Sequence, residues 1–229
     1  WNPLTTQIES HDWQAELYST VSHANRIMHN LCVDVWMYIS RGVFAQVPVK
    51  GATGSSTMPH KRNPAVLENV LALLRNVRTT APAIVESMIS ENERDWGCFI
   101  SEWEGLPRAF VLMATALEKA RYILENLIVY EDHMKKNLFL QKGLMMSECV
   151  MMHLARKLGR LTAHHIVYDA CMEAYEKEIP LKDVLMKTKV VTDDFTEEEI
   201  DTMLNPEQYL GLAPIFCDRV LEAYKEYME

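Results

Sequence analysis

One stretch, Lys50-Gly-Ala-Thr-Gly-Ser-Ser-Thr-Met-Pro-His-Lys-Arg-Asn-Pro64, separates two segments whose apolar residues follow a helical spacing. Before it, residues 11–41 contain neither glycine nor proline. Their apolar positions alternate in steps of four and three, at Leu17, Val21, Ala24, Met28, Leu31, Val35 and Tyr38. This spacing predicts a long helix with one apolar seam, which a partner helix must cover.

A second long helix is predicted directly after this stretch. Asn63 can serve as its N-cap, and Pro64 suits the first helical position because the N–H that proline lacks would be unpaired there. The predicted apolar face consists of Val66, Val70, Leu73, Val77, Ala81 and Ile84. Pro82 falls within this pattern, so the helix is expected to kink there rather than end.

A third helix is predicted over residues 107–127, with Pro107 at its start. Its inward residues are expected to be Phe110, Met113, Leu117, Ala120, Leu124 and Leu127. Three helices of this length with matching seams predict an antiparallel bundle.

The chain is expected to divide near residue 130. Residues 1–130 would form a central long-helix bundle that includes the loop 50–64, and residues 131–229 would form a small C-terminal helical domain. Glycines and prolines separate the shorter helical patterns of the second part, which cover residues 131–140, 145–158, 160–178, 181–188, 196–204 and 213–227. Only residues 43–49 resemble a strand, so the predicted class is all-α.

The composition excludes several classes of protein. The chain has 229 residues with 23 basic and 32 acidic side chains, and its net charge of −9 argues against general binding to nucleic acids or anionic membranes. No apolar run reaches the ~18–20 residues that a bilayer span requires. The five cysteines show no paired spacing, which favours a reducing, cytoplasmic compartment. The chain starts at Trp1, and we expect it to be part of a longer protein.

The loop 50–64 concentrates the residues that are suited to chemistry. Gly51 and Gly54 would act as its hinges. Its positive charge is supplied by Lys50, His60, Lys61 and Arg62. The loop leads into a helix N-terminus, which favours an anion, and its serines could act as a base or nucleophile beside a bound carboxylate. A solvated basic linker would have the same composition, so both interpretations are open at this point.

The segment from Gly54 to Pro64, together with Glu68, resembles the signature loop of the fumarase/aspartase superfamily. The pattern Gly-Ser-Ser-x-Met-Pro-x-Lys-x-Asn, followed five residues later by Glu, is matched at every fixed position. The resemblance covers essentially the whole chain, but only the second half of a full-length member. It implies an all-α fold with a long-helix bundle and a small helical tail.

The resemblance also implies a role for each matching residue. Ser55 would be the general base that removes a proton next to a substrate carboxylate, while Lys61 and Asn63 would bind that carboxylate. Glu68 would hydrogen-bond a histidine from another segment, and Arg94 would contact the substrate. The other candidate substrate-binding residues are Ser56, Met58 and His60. Such chemistry requires no metal or organic cofactor, because clustered cations and a helix N-terminus can stabilise the developing charge.

Two branches of the superfamily share most of these features. Residues 102–107, 151–155, 158–160, 163–167 and 209–214 resemble the 3-carboxy-cis,cis-muconate cycloisomerase branch. Adenylosuccinate lyases share the loop and Glu93-Arg-Asp95, but typically continue with serines and an arginine that bind a phosphate. This chain has Trp103 near the expected arginine, and Asn92 where both branches often have a histidine. We therefore favour a cycloisomerase-like enzyme, with adenylosuccinate lyase or another dicarboxylate lyase as alternatives.

The resemblance implies partners as well as chemistry. Members of the superfamily are homotetramers in which each active site combines loops from three subunits, and they act on dicarboxylates. Since the histidines that act as acid or base lie in the half that this chain lacks, the 229-residue chain by itself is expected to be inactive. A structural scaffold that retains the fold, or a simple anion-binding module, would be non-enzymatic alternatives.

Overall fold

The computed structural model describes residues 11–47, 57–58, 60–91 and 95–228. The chain divides into two compact units, of which the first ends at Glu131 and the second begins at Asp132. The elements of the first unit are α1 (Asp12–Ser40), β1 (Phe44–Gln46), α2 (Ala65–Thr79), α3 (Ala81–Glu86), α4 (Trp96–Glu125) and β2 (Leu127–Val129).

The helices of the first unit form a bundle in which α1 and α4 run parallel and α2 runs against both. This direction follows from pairs of side chains: His11 contacts Glu102, and Asn25 lies beside both Met113 of α4 and the carbonyl of Leu74 in α2. After α1 and α4, the strands β1 and β2 pair antiparallel, with Ala45 opposite Ile128. The short sheet therefore closes one end of the bundle.

The bundle core lies where α1, α2 and α4 meet. It contains Cys32, Val35, Leu67, Val70, Leu74, Val77, Met113, Ala116, Ala120 and Ile123. The predicted apolar seams match this core only in part, since Leu17, Leu31, Phe110, Leu117 and Leu124 are exposed. Both α1 and α4 carry apolar residues on more than one face, and the spacing alone did not identify the face that packs within the chain.

Two predicted helix limits in the first unit are wrong. The third long helix, α4, begins at Trp96 rather than Pro107, because Asp95 caps it: its carboxylate accepts a 2.8 Å hydrogen bond from the N–H of Gly97. Pro107 lies inside α4. The second long helix is interrupted rather than kinked, because α2 ends at Thr79 and α3 starts at Ala81. Pro82 has no N–H to continue the helical pattern, and the Thr80 hydroxyl instead donates to the Val77 carbonyl at 2.7 Å.

The second unit is also helical. It contains α5 (Glu131–Leu138), α6 (Ser147–Leu158), α7 (Arg160–Glu176), α8 (Leu181–Leu185), α9 (Lys189–Thr192), α10 (Glu197–Leu204) and α11 (Ala213–Met228), with 3-10 turns at Leu144–Met146 and Pro206–Gln208. Its core combines α6, α7, α8 and α10 around residues such as Leu154, Leu181, Leu185 and Ile200. Thr196 and Glu199 form a capping box at the start of α10. The predicted all-α class is confirmed, with β1 and β2 as a small addition.

Among the described residues, no helix combines the length and apolar character needed to cross a bilayer. All five cysteines are free thiols.

Candidate active site

The described part of the signature loop leads directly into α2. The N–H of Lys61 donates to the carbonyl of Met58 at 3.0 Å, which makes a turn just before the helix. The side chains from His60 to Asn63 are exposed, as is that of Met58. Pro64, rather than the predicted Asn63, occupies the N-cap position, and it provides no side-chain cap. Lys61 and Asn63 therefore lie within one turn of a helix start, where an anion is favoured.

A glutamine that the sequence did not single out helps to fix this helix start. The side-chain carbonyl of Gln46, in β1, accepts a hydrogen bond from the N–H of Leu67 at 3.2 Å. Leu67 is in the first turn of α2, whose N–H groups have no partner within the helix. This hydrogen bond joins the short sheet to the helix that follows the loop. Because Gln46 and Leu67 are distant in sequence, local spacing could not predict the contact.

Glu68 lies in the first turn of α2, with its backbone N–H bonded to the carbonyl of Pro64 at 3.0 Å. Its side chain is exposed, close to the residues that the resemblance assigns to carboxylate binding. The predicted residues Ser55, Ser56, Gly51, Gly54 and Arg94 lie outside the described residues, so their roles remain predictions.

The bundle separates the described loop residues from Asp95, the residue that follows Arg94 in the sequence. Lys61, Asn63 and Glu68 lie at the end closed by the sheet, whereas Asp95, to which Arg94 is covalently joined, caps the opposite end of α4. At 1.5 Å per residue the 30-residue α4 is roughly 45 Å long, so the two ends are about 40 Å apart. Residues at both ends of one chain cannot contact the same small dicarboxylate.

The surroundings of Asp95 favour its charged form, whereas burial disfavours the reactive thiolate form of four cysteines. A hydrogen bond from the N–H of Gly97 lowers the pKa of the Asp95 carboxyl. Burial raises the pKa of the Cys32 thiol to about 11, and it also raises the pKa of Cys98, Cys149 and Cys171. Within the described residues, no three side chains are grouped as a metal site would require.

Comparison with known proteins identifies the same superfamily that the signature loop resembles. Residues 1–79 match the family model described as Lyase, and residues 143–220 match the model described as Adenylosuccinate lyase C-terminus. The chain is 39% identical over 193 residues to 3-carboxy-cis,cis-muconate cycloisomerase of Acinetobacter baylyi, an alignment that covers 83% of this chain and 43% of the relative. The chain belongs to the fumarate lyase superfamily. Superfamily members act on small dicarboxylates.

Two further superfamily members have similar sequence identity to this chain, and each is matched over about half of its length or less. N-acetyl-S-(2-succino)cysteine lyase of Dickeya dadantii is 41% identical over 172 residues, which cover 75% of this chain and 38% of that protein. The crystal structure of 3-carboxy-cis,cis-muconate lactonizing enzyme from Pseudomonas putida superposes with a TM-score of 0.89 at 30% identity, over 99% of this chain and 51% of that one. The chain thus spans about half the length, or less, of these superfamily members.

Proposed function

We propose that the whole protein is a cofactor-independent lyase or cycloisomerase that removes or adds a proton next to a substrate carboxylate. The observation that carries this proposal is the complete signature loop, whose Lys61 and Asn63 are exposed at the start of α2. The favoured activity is that of a 3-carboxy-cis,cis-muconate cycloisomerase, the activity named for the relative in Acinetobacter baylyi.

The chemistry follows from the charges that the loop provides. A proton beside an ionised carboxylate is weakly acidic, because its removal adds a second negative charge. Lys61, Asn63 and the N-terminus of α2 would stabilise that charge as an enediolate-like anion. Ser55, as an alkoxide favoured by the same positive surroundings, would take the proton. In a lyase, the electron pair left on carbon would then expel the β substituent. In a lactone-forming cycloisomerase, a carboxylate oxygen would add to the double bond, and the adjacent carbon would receive the proton.

The separation of the two bundle ends supports a site shared between copies of the chain. Since Lys61 and Asp95 are about 40 Å apart in one bundle, a site that needs both Lys61 and Arg94 must combine different chains. The exposed apolar side chains along α1 and α4, such as Ile27 and Val111, provide a surface for such association. We therefore infer a homotetramer in the cytoplasm, without a nucleic-acid or membrane partner.

Adenylosuccinate lyase is the second candidate activity. It is favoured by the match of residues 143–220 to the Adenylosuccinate lyase C-terminus model. The exposed Trp96 and Trp103 and the partly buried Phe99 lie in contact at the start of α4, directly after Asp95. Such an aromatic group lacks the positive charge that strong binding of a phosphate uses. A lyase acting on another succinyl compound is a further alternative, in view of the relative from Dickeya dadantii.

A substrate panel with the full-length protein tests the proposal. The compounds are 3-carboxy-cis,cis-muconate, adenylosuccinate, argininosuccinate, N-acetyl-S-(2-succino)cysteine, aspartate and malate, followed by the ultraviolet absorbance of the conjugated acid. We expect turnover of carboxymuconate and loss of turnover in Ser55→Ala, with folding and assembly unchanged. Preference for the nucleotide would replace the favoured activity by the second one. Wild-type turnover in Ser55→Ala would contradict the role of Ser55, and no turnover of any compound would favour the scaffold alternative.

A further inference from the structure

A buried carboxylate lies at the end of the first unit that is opposite the signature loop. Glu102 of α4 is only 3% exposed. Its carboxylate lies 2.5 Å from His11, 3.4 Å from the side-chain amide of Gln14 and 3.4 Å from the hydroxyl of Ser87. A carboxylate removed from water is costly unless it is paired and hydrogen-bonded. Partners from the start of α1, the end of α3 and α4 itself are thus brought together at one point.

This arrangement fixes the ring of His11. An ionised carboxylate can only accept, so the Nδ1–H of His11 donates to Oε1 of Glu102. The ring of Phe99 meets the imidazole edge to face, with 5.1 Å between the centroids and 87° between the planes. Among the described residues, His11 bonds through Nδ1, and its other ring nitrogen, Nε2, has no hydrogen-bond partner. A histidine whose Nδ1 is held by a carboxylate has a defined tautomer and orientation, with Nε2 available to a ligand.

An unpaired acceptor lies beside this pair. Gln14 is 9% exposed, and its amide nitrogen donates to Glu102. Its side-chain oxygen is buried and has no hydrogen-bond partner within the described part of the chain. A buried acceptor without a partner is unfavourable, and native structures contain few of them. Toward the described part of the chain, both His11 and Gln14 therefore have unused hydrogen-bonding capacity at the same place.

We propose that His11 is a substrate-contacting residue of the shared site, and that Glu102 is the residue that positions it. The Nε2 of His11, protonated when the ligand binds, would donate to a carboxylate of the substrate, and Gln14 would accept a hydrogen bond from a hydroxyl or amine of the same molecule. This proposal rests on the proposed function. It adds a second histidine–carboxylate pair, made wholly within this chain, to the predicted pairing of Glu68 with a histidine from elsewhere.

A purely structural ion pair between α1 and α4 is the competing explanation, and two substitutions of His11 separate it from the proposal. Asparagine places its amide nitrogen near the position of Nδ1, so His11→Asn keeps the bond to Glu102 and removes Nε2. Glutamine reaches the position of Nε2 instead, so His11→Gln keeps a donor toward the ligand and weakens the bond to Glu102. A structural role makes Asn the better replacement, whereas a role in binding makes Gln the better one.

The experiment measures kcat, KM and Tm in the full-length protein, with the panel compound that is turned over fastest. We expect His11→Asn to raise KM about 10- to 100-fold, as loss of a charged hydrogen bond would, with a smaller change in kcat and an unchanged Tm. His11→Gln should recover much of the KM. Glu102→Leu should raise KM, because the ring of His11 loses its orientation. It should also lower Tm, because the buried hydrogen bonds to Glu102 are lost. His165→Asn, an exposed histidine of α7, is the matched control with wild-type values.

The possible failures can be told apart. A wild-type KM in His11→Asn, at any Tm, would overturn the proposal, and so would a KM that Gln restores less well than Asn. In both cases the proposed function would stand, provided that Ser55→Ala is inactive. Absence of turnover in the wild-type protein would instead contradict the proposed function itself, and the role of His11 with it.

Discussion

The two units of this chain differ in where their candidate site residues and their apolar side chains lie. In the first unit, the residues suited to chemistry are at the ends of the helices, and large apolar side chains such as Ile27, 69% exposed, lie along their sides. In the second unit, residues between 144 and 204 form one apolar core, and α10 begins at a capping box made by Thr196 and Glu199. Among the described residues of this unit, α5 and α11 have no buried side chain. The first unit is thus the one for which the proposed shared site requires other chains.

This difference indicates how the two units contribute. A substitution in the first unit can affect chemistry, assembly or stability, according to the face or end that it changes. A substitution in the core of the second unit should affect stability alone, because none of the predicted site residues lies there. Substitutions in each unit test this difference.

The largest effect is expected from mixing two inactive variants of the full-length protein. Lys61→Ala and Arg94→Ala change opposite ends of the bundle, and each should lower kcat/KM at least about 100-fold. When the two are co-expressed, random assembly leaves about one site in four with both residues intact, so about a quarter of the wild-type activity should return. Activity of the mixed tetramer, compared with that of each variant alone, is the measurement. A mixture no more active than its components would show that one chain supplies both residues.

The next effect concerns assembly. Ile27→Glu places a charge on the outward side of α1, where association would bury it without a partner, at a cost of several kcal/mol. The proposed tetramer of the full-length protein should therefore dissociate, as measured by sedimentation or light scattering. Leu161→Glu is the matched control, because Leu161 of the second unit is 79% exposed. If Ile27→Glu stays tetrameric, or if Leu161→Glu dissociates the protein, the interface has been assigned to the wrong surface.

How far the sequence predicts the structure also differs between the units. In the second unit the predicted helices agree with the observed ones to within a few residues, because the signals that start and stop them are local. Helix α6 ends at Leu158, for example, before Gly159 with a φ of 77°, and Thr196 begins the capping box of α10.

In the first unit, several features depend on packing between distant segments, and the sequence pattern did not predict them. Asn25 is completely buried, and it donates to the Leu74 carbonyl and accepts from Arg78, although apolar spacing gave it no place in the core. The strand β2 was missed because three residues give no alternation to read. Of the candidate site, the loop motif predicted Lys61, Asn63 and Glu68, but not the Gln46 contact or the buried Glu102, because these depend on tertiary contacts.

The third prediction compares the two cores in the 229-residue chain. Leu74→Ala in the first unit and Leu154→Ala in the second each remove a completely buried side chain, so each should lower the free energy of unfolding by about 2–5 kcal/mol. All five tryptophans lie in the first unit, at positions 1, 13, 36, 96 and 103. In urea titrations, Leu74→Ala should shift the fluorescence transition, whereas Leu154→Ala should shift the circular dichroism more than the fluorescence. Equal shifts in both signals for Leu154→Ala would show that the units unfold together.

The smallest effect is expected at the capping box of the second unit. The Thr196 hydroxyl accepts from the N–H of Glu199 at 3.3 Å, and the Glu199 carboxylate accepts from the N–H of Thr196 at 2.8 Å. Thr196→Ala removes one of these bonds and leaves an N–H of the first turn unpaired, so the free energy of unfolding should fall by about 1 kcal/mol. Thr202→Ala is the matched control, since its hydroxyl donates only to the Glu198 carbonyl, which the helix already uses. Circular dichroism in urea measures both variants. Because Thr196 belongs to the unit that holds none of the predicted site residues, the loss should be one of stability alone. The kcat/KM of the full-length protein should be unchanged, and a lower value would show that the second unit also contributes to the site.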